Sequence, residues 1–239
     1  MNTPATPLPR RHPVLRGIDA VLKLALVAEL AFAAWNAAWL TAAAVVGILA
    51  VILLPHLLRR KFRLVFPYEL ELLAIVFAFA ALFLGEVRGY YTAYPWWDSL
   101  LHASSGLLLG IFGFLLVYAM NENDTIGVNM KPGFVAFFAF LFALGVGTVW
   151  EIFEFAMDRL AGTNMQKPMW GDPSGLTDTM WDLILDATGA LVISLLGYAY
   201  LKTPARDSFL EKWILSFIEH NPRLFGRAAR EVSENGGGK

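Results

Sequence analysis

The sequence predicts an all-α protein, a polytopic transmembrane helix bundle of about six spans, followed by a C-terminal amphipathic helix at the membrane interface. Three observations lead to this fold class. Of the 239 residues, 57% are hydrophobic and only 16% are charged, whereas soluble domains contain about 25% charged residues. Several apolar stretches are long enough for a helix to cross the hydrocarbon core of a bilayer. Prolines stand at the ends of three of them, at Pro67, Pro132 and Pro204, where they start or stop a helix.

The apolar stretches define the domain organisation. Residues 1–16 are Pro-rich and basic, without the apolar core of a cleaved signal peptide, and are expected to form a cytoplasmic tail. Residues 17–203 form the membrane domain, residues 204–232 the interfacial helix, and residues 233–239 a disordered tail. The six predicted spans are Gly17–Asn36, Trp39–Leu58, Tyr68–Tyr91, Asp98–Met120, Met130–Asp158 and Thr177–Leu201.

The interfacial helix is predicted from helical spacing. Within Asp207–Arg230, apolar residues recur three or four positions apart with charged residues between them, which is typical of an amphipathic helix lying at a membrane surface. These apolar residues are Phe209, Trp213, Ile214, Phe217 and Ile218.

The distribution of Lys and Arg predicts the orientation, because cytoplasmic loops are enriched in these residues. The basic N-terminal tail and the cluster Arg59–Arg63 are separated by two spans and therefore lie on one side of the membrane. Lys202, Arg206 and Lys212 follow span six on the same side. Both termini are therefore expected in the cytoplasm.

Composition excludes several classes of function. The net charge of −1 gives no indication of a nucleic-acid partner. The chain contains no cysteine, which excludes disulfides, zinc–thiolate sites and a cysteine nucleophile.

A stripe of carboxylates in span six is the main functional signal. Asp178, Asp182 and Asp186 stand four residues apart, so a helix presents all three on one face. A charge facing lipid would cost several kcal/mol, so this face must contact protein, water or a cation.

Two further polar pairs are expected at the same, extracytoplasmic end of the bundle. Asp98 and His102 begin span four, and Glu151 and Glu154 lie near the end of span five, each pair on one helical face. Arg88, at the end of span three, supplies one positive charge against this excess of acids. One or two divalent cations would neutralise the rest.

The sequence therefore predicts a metal site at the outer ends of spans three to six. Oxygen-rich ligation with one His suits Mg, Mn, Fe or Zn. His102 is a candidate ligand or general base, and Glu151 is a second candidate catalytic residue. The candidate metal ligands are Asp98, His102, Glu151, Glu154, Asp178, Asp182 and Asp186.

Other interpretations of the polar residues stay open. Asp178 can be the N-cap of span six. Asp19 and Lys23 suit an interfacial ion pair, and Glu29 is an intramembrane carboxylate and hence a functional candidate. The loop Arg159–Thr177 is either a connector or a lid. The tryptophans near the span ends suit an interfacial aromatic belt: Trp96, Trp97, Trp150, Trp170 and Trp181.

Small residues in spans four to six predict close helix approach, which a compact metal cluster needs. They are Ser104, Ser105, Gly106, Gly110, Gly113, Gly145, Gly147, Gly189 and Ser194.

A family resemblance rests on three stretches: Trp97–Gly106, Trp150–Phe155, and Gln166–Gly189 with its Asp178-Thr-Met-Trp-Asp182 element. Together they resemble the YjdF-like family of bacterial polytopic inner-membrane proteins of unknown function, over roughly residues 66–201. A fainter likeness is to VanZ-type membrane proteins, which also begin a span with Asp-x-x-x-His. The resemblance implies an integral protein of the bacterial inner (plasma) membrane, and it implies no activity.

Three functions are compatible with these features. The first is a metal-dependent enzyme acting on a lipid or amphiphile at the outer leaflet, with membrane lipid as its partner. The second is an ion- or proton-coupled transporter in which the acids form a relay. The apolar inner halves of spans four to six speak against a relay. The third is an accessory membrane subunit whose acids bind a partner. The oligomeric state is left open.

Overall fold

Helices are the regular elements throughout the described part of the chain, which confirms the predicted all-α class. The computed structural model describes residues 13–62, 65, 67–121, 130–202 and 209–221. The helices are α1 (Pro13–Trp35), α2 (Trp39–Phe62), α3 (Tyr68–Ala78), α4 (Tyr90–Ala93), α5 (Trp97–Asn121), α6 (Pro132–Ala161), α7 (Leu176–Lys202) and α8 (Phe209–His220). A π-helical turn region, Phe79–Val87, continues α3.

Among the described residues, four helical segments are long and apolar enough to cross a membrane. They are Tyr68–Val87, Trp97–Tyr118, Pro132–Ala161 and Leu176–Lys202, and they correspond to predicted spans three to six. Helices α1 and α2 coincide with predicted spans one and two, and their crossing of the membrane stays a prediction. The segments 1–12, 203–208 and 222–239 lie outside the described residues, as do the side chains of the Arg59–Arg63 cluster. Orientation and the disordered tail therefore also stay predictions.

The chain divides into two compact units. The first contains α1 to α4 and most of α8, and the second contains α5, α6 and α7. The predicted subdivision into a membrane domain and an interfacial helix follows other boundaries and is not tested by this division.

The described residues of the first unit form an apolar core and two ion pairs. Lys23 donates to Asp19 at 2.8 Å, as predicted for this pair. Glu29, which the sequence left as a functional candidate, pairs with Arg88 at 3.5 Å. The core is formed by Leu26, Val45, Ile48, Ile52, Ile75 and Phe83.

Helix α8 ends at His220, directly before Asn221-Pro222, as expected from the apolar spacing, which stops at Ile218. Ile214, Phe217 and Ile218 form its apolar face and are buried. Beyond the helix, the Asn221 side chain accepts a hydrogen bond from the Val65 backbone N–H at 2.9 Å and donates to the Val65 carbonyl at 2.7 Å. The location of α8 at the membrane interface stays a prediction.

The second unit is a tightly packed three-helix assembly. A Cβ placed on Gly189 would lie 2.6 Å from the Ala103 carbonyl oxygen, and one on Gly106 would collide with the Asp186 carbonyl. Helices α5 and α7 therefore approach backbone to backbone, as the small residues predicted. Gly110 and Gly113 also lie at close contacts, whereas nothing lies within 4 Å of a Cβ on Gly145. The prediction is thus confirmed for the glycines of α5 and wrong for Gly145.

A candidate metal centre in the three-helix unit

The seven predicted ligands lie together where the start of α5, the last third of α6 and the start of α7 meet. Asp98 and His102 occupy the first two turns of α5, and Glu151 and Glu154 share a face of α6. Six of the seven side chains are buried, and Asp98 is 14% exposed. We refer to Asp98, His102, Glu151, Glu154, Asp178, Asp182 and Asp186 as the carboxylate–histidine cluster.

The prediction drew this cluster from spans three to six, and the structure corrects it in one respect. The cluster residues belong to α5, α6 and α7 alone, whereas Arg88 at the end of span three pairs with Glu29 in the first unit. The positive charge that interacts with the acids is instead Lys167, in the loop between α6 and α7. Its ammonium group acts electrostatically on Asp98, Glu154 and Asp178.

His102 lies at the centre of the cluster. Its Nε2 atom lies 3.6 Å from Oε1 of Glu151, 3.8 Å from Oδ2 of Asp182 and 3.8 Å from Oδ1 of Asp98. These separations are too long for direct hydrogen bonds. The Nε2 atom therefore shares a small space with three carboxylates without bonding to any of them.

The other nitrogen of His102 has a defined partner. Nδ1 lies 3.3 Å from Oδ2 of Asp186. With Nδ1–H as the donor and the Asp186 carboxylate as the acceptor, Nε2 of a neutral imidazole is left without a proton. Ser105 donates to the second oxygen of Asp186, and a Cβ on Gly147 would collide with the same carboxylate. Asp186 is thereby fixed in place, and it fixes the orientation of the imidazole ring.

Several buried carboxylate oxygens have no hydrogen-bond partner among the described residues. They include both oxygens of Asp182, which is 0% exposed, and Oδ1 of Asp178. Native proteins rarely leave buried polar atoms unsatisfied, so such atoms call for an explanation, for example an ion. Glu154 differs, because Trp150 Nε1 donates to it at 2.8 Å.

Two groups of three residues have ligand atoms close enough to hold an ion. In each group the atoms lie within 4.8 Å of one another. The first group is His102, Glu151 and Glu154, and the second is Asp98, Asp178 and Asp182.

The N-cap interpretation of Asp178 is wrong. Helix α7 begins at Leu176, and Asp178 lies within its first turn. Its Oδ2 accepts a hydrogen bond from the Lys167 backbone N–H at 2.6 Å. The Thr177 N–H near the helix start donates instead to Asp172, at 3.0 Å. Hydrogen bonds from Ser174 and Thr177 lower the pKa of Asp172, so this carboxylate is ionised at neutral pH.

The loop between α6 and α7 is fastened to the helix ends on both sides. Asp158 accepts from the Met165 N–H at 2.7 Å and the Gln166 N–H at 2.9 Å. The Gln166 side chain donates to Thr179 of α7 at 2.7 Å. The segment is therefore held to both α6 and α7 by hydrogen bonds, and its role as a connector or a lid stays a prediction.

Sequence reasoning missed the residues that support the cluster. It noted Ser105 only as a small residue, Trp150 only as part of an aromatic belt, and Lys167 and Asp172 only as loop residues. The one available signal was Ser104-Ser105, a polar pair one turn after His102 within an apolar span. For Lys167 and Asp172 the sequence offered no comparable pattern.

Comparison with known proteins gives a family and no activity. The family model described as "Predicted membrane protein (DUF2238)" matches residues 18–203. An uncharacterised protein of Thermotoga maritima is 29% identical over 115 residues, which cover 48% of this chain and 54% of that protein. The chain thus spans about half the length of this relative. No solved structure matches.

Proposed function

Since the chain belongs to the DUF2238 family of predicted membrane proteins, we propose that this integral membrane protein binds two divalent metal ions in the carboxylate–histidine cluster and uses them to act on a lipid or amphiphile. The finer assignments belong to the same proposal: a YjdF-like protein of the bacterial inner membrane, with the cluster at the extracytoplasmic side and both termini in the cytoplasm.

The observation that carries the proposal is Asp182. Its carboxylate is 0% exposed, and neither oxygen has a hydrogen-bond partner among the described residues. An isolated buried carboxylate is costly, so buried charges are normally paired or coordinate a metal. Its basic neighbour at 3.8 Å, His102, also lies close to Glu151 and Asp98.

Charge supports cations as the missing partners. The cluster contains six carboxylates and one imidazole, and Lys167 acts on it from the loop. A histidine that binds a metal through Nε2 is neutral, so among the described residues Lys167 alone offsets one of the six negative charges. Two divalent ions, one in each of the two ligand groups, would offset four of the remaining five.

The geometry around His102 fits a metal ligand. Metal–ligand bonds of about 2.0–2.2 Å place neighbouring ligand atoms about 3–3.6 Å apart, close to the 3.6 and 3.8 Å found around Nε2. A ligating His usually donates its other N–H to a carboxylate. Asp186 fills that role at Nδ1, so we assign it to positioning His102 rather than to direct ligation.

The chemistry that such a centre supplies is Lewis-acid activation. A metal ion lowers the pKa of bound water and polarises a phosphoryl or carbonyl oxygen. Glu151 lines a cavity beside the cluster, where it would accept the proton of an attacking water. Oxygen-rich ligation with one His is compatible with Mg, Mn, Fe or Zn.

Elemental analysis of the purified full-length protein tests the proposal. After incubation with each candidate metal and removal of free ions, we expect close to two equivalents in the wild type. Asp182→Asn should lose metal, and Glu86→Gln, an exposed carboxylate of the first unit, should not. A wild type that retains none of the four metals would overturn the proposal.

The transporter alternative has less support. After Asp186, towards the C-terminal end of α7, the buried face of this helix packs tightly against α5. A Cβ on Gly197 would collide with the Phe114 ring, and one on Gly110 would lie 3.1 Å from Ile193. Among the described residues, this close packing between α5 and α7 speaks against a polar route along their contact. Uptake of protons or metal ions into proteoliposomes, abolished by Asp182→Asn, would favour transport instead.

A further inference from the structure

We propose that the groove between α6 and α7 binds a membrane lipid with an anionic, phosphate-bearing headgroup, with the phosphate at Arg159 and the adjoining part of the lipid beside Glu151. This inference deepens the proposed function by naming the substrate class. The binding step itself does not require a metal ion.

The groove is a cavity of about 400 Å³ in the second unit. On the α6 side its residues stand three or four positions apart, and therefore on one helical face. They are Thr148, Glu151, Ile152, Phe155 and Arg159. Residues of α7 form the opposite wall, so a molecule in the groove would contact both helices that contribute acids to the cluster.

The walls of the groove are apolar and open towards the lipid. Ile152 and Phe155 on α6 are 61% and 49% exposed, and Leu176 on α7 is 63% exposed. On a membrane-spanning segment, exposed apolar side chains face acyl chains. Leu183 lines the groove further along α7. A lipid chain can thus enter sideways from the bilayer and stay in contact with apolar surface.

Two positions along the groove differ in charge. Arg159 lies in the last turn of α6, with its guanidinium 5.3 Å from the centre of the Phe155 ring. Two turns before Arg159 on α6, the buried carboxylate of Glu151 also lines the groove. A guanidinium binds phosphate through paired hydrogen bonds, whereas a carboxylate repels it. This polarity favours a headgroup phosphate at Arg159 and an uncharged linkage near Glu151.

The polar end is already shaped in the protein. Gln166 and Ser174 of the loop line the groove beside Arg159. Gln166 is held by its hydrogen bond to Thr179 and by contact with Gly175, where a Cβ would lie 2.7 Å from the Gln166 Cβ. A preformed wall reduces the entropic cost of ordering the site on binding.

Competition between two lipids tests the inference. The full-length protein is purified from vesicles containing equal amounts of phosphatidylglycerol and phosphatidylcholine, and the retained lipids are counted by native mass spectrometry. We expect phosphatidylglycerol to be preferred. Arg159→Gln should lower its retention roughly tenfold, which corresponds to about 1.4 kcal/mol, because glutamine has neither the positive charge nor the paired donors of the guanidinium. Arg159→Lys keeps the positive charge but loses the paired N–H donors of the guanidinium. Its retention of phosphatidylglycerol should therefore lie between those of the wild type and Arg159→Gln.

A second variant tests the groove without changing its charge. Leu183→Trp should fill the cavity and reduce the retention of both lipids. Lys202→Gln removes a cation from the opposite end of α7 and should have no effect. Equal phosphatidylglycerol retention in wild type and Arg159→Gln would overturn the inference, as would an equally large loss in Lys202→Gln.

Metal content measured on the same samples separates this inference from the proposed function. Arg159→Gln and Leu183→Trp should keep the wild-type metal content, and Asp182→Asn should lose metal while it retains phosphatidylglycerol. If the wild type binds the lipid and no metal, the proposed function fails and the lipid site stands. If it binds metal and Arg159→Gln changes nothing, the lipid site fails alone.

Discussion

His102 and Asp186 face each other across the contact between α5 and α7, with Nδ1 3.3 Å from Oδ2. The Ser105 hydroxyl donates a hydrogen bond to the second oxygen of Asp186, so each carboxylate oxygen has a partner. The imidazole is thereby turned so that Nε2 points to Glu151 and Asp182. One carboxylate of the cluster thus orients the histidine, while the others remain available to an ion.

The positioning role of Asp186 predicts a graded effect of its removal. In Asp186→Asn the imidazole loses an ionised acceptor, and loss of such an outer partner typically lowers metal affinity 10–100-fold. Chelator competition should show this weakening with the number of sites unchanged. Asp182→Asn, the comparison variant, should lose a site altogether. Equal behaviour of the two variants would remove the distinction between positioning and ligating carboxylates.

The backbone contact beside this pair predicts that Gly106 cannot carry a side chain. In Gly106→Ala the new Cβ collides with the Asp186 carbonyl, and overpacking of this kind typically costs about 1–3 kcal/mol. We expect a lower Tm in detergent and weaker metal binding. Gly145→Ala is the matched control, because its Cβ meets nothing within 4 Å and Ala is favoured over Gly inside helices by about 0.5–1 kcal/mol. A fall in Tm for Gly145→Ala as large as that for Gly106→Ala would contradict this explanation.

The sequence could predict the cluster because the spacing of residues along one helix already shows which side chains share a face. Asp178, Asp182 and Asp186 share a helical face by spacing alone, and the cost of exposing them to lipid requires that the face be buried. The same reasoning paired Asp98 with His102. Once α6 runs antiparallel to both α5 and α7, these faces can only meet at one end.

The sequence could not predict features that depend on the direction of a side chain or on distant partners. Gly145 and Gly147 lie two residues apart and therefore point to nearly opposite sides of α6, and only Gly147 faces Asp186. The hydrogen bond from the Lys167 N–H to Asp178 joins positions 11 residues apart through a loop without periodicity. The sequence analysis grouped Arg88 with the carboxylates of the cluster because of its positive charge. In the structure, Arg88 pairs with Glu29 instead.

The low pKa of Asp172 predicts a pH-dependent loop. Hydrogen bonds from Ser174 and Thr177 favour its ionised form. A carboxyl group whose pKa is lowered in the folded state stabilises that state above its unfolded pKa of about 3.9, and the contribution is lost as the pH falls through the folded value. At neutral pH, Asp172→Asn should therefore speed amide hydrogen exchange at Ser174 and Thr177, after correction for intrinsic rates.

Measuring the same hydrogen-exchange rates at acid pH tests whether the charge of Asp172 is responsible. The difference between wild type and Asp172→Asn should shrink as the wild-type carboxylate becomes protonated. Asn164→Ala, an exposed position in the same loop, should leave both amides unchanged at either pH. A difference between wild type and Asp172→Asn that is constant with pH would show that the charge of Asp172 is not what holds the loop.

The two ligand groups predict separable metal sites. Glu154 belongs to the group with His102 and Glu151, and Asp178 to the group with Asp98 and Asp182. Glu154→Gln and Asp178→Asn should each lower the metal content from about two equivalents to about one. The double variant should bind almost none, because each substitution removes a charged ligand from a different ion. Isothermal titration with Mn and with Zn measures both stoichiometries. A single equivalent in the wild type, lost in either single variant, would mean that both groups serve one ion.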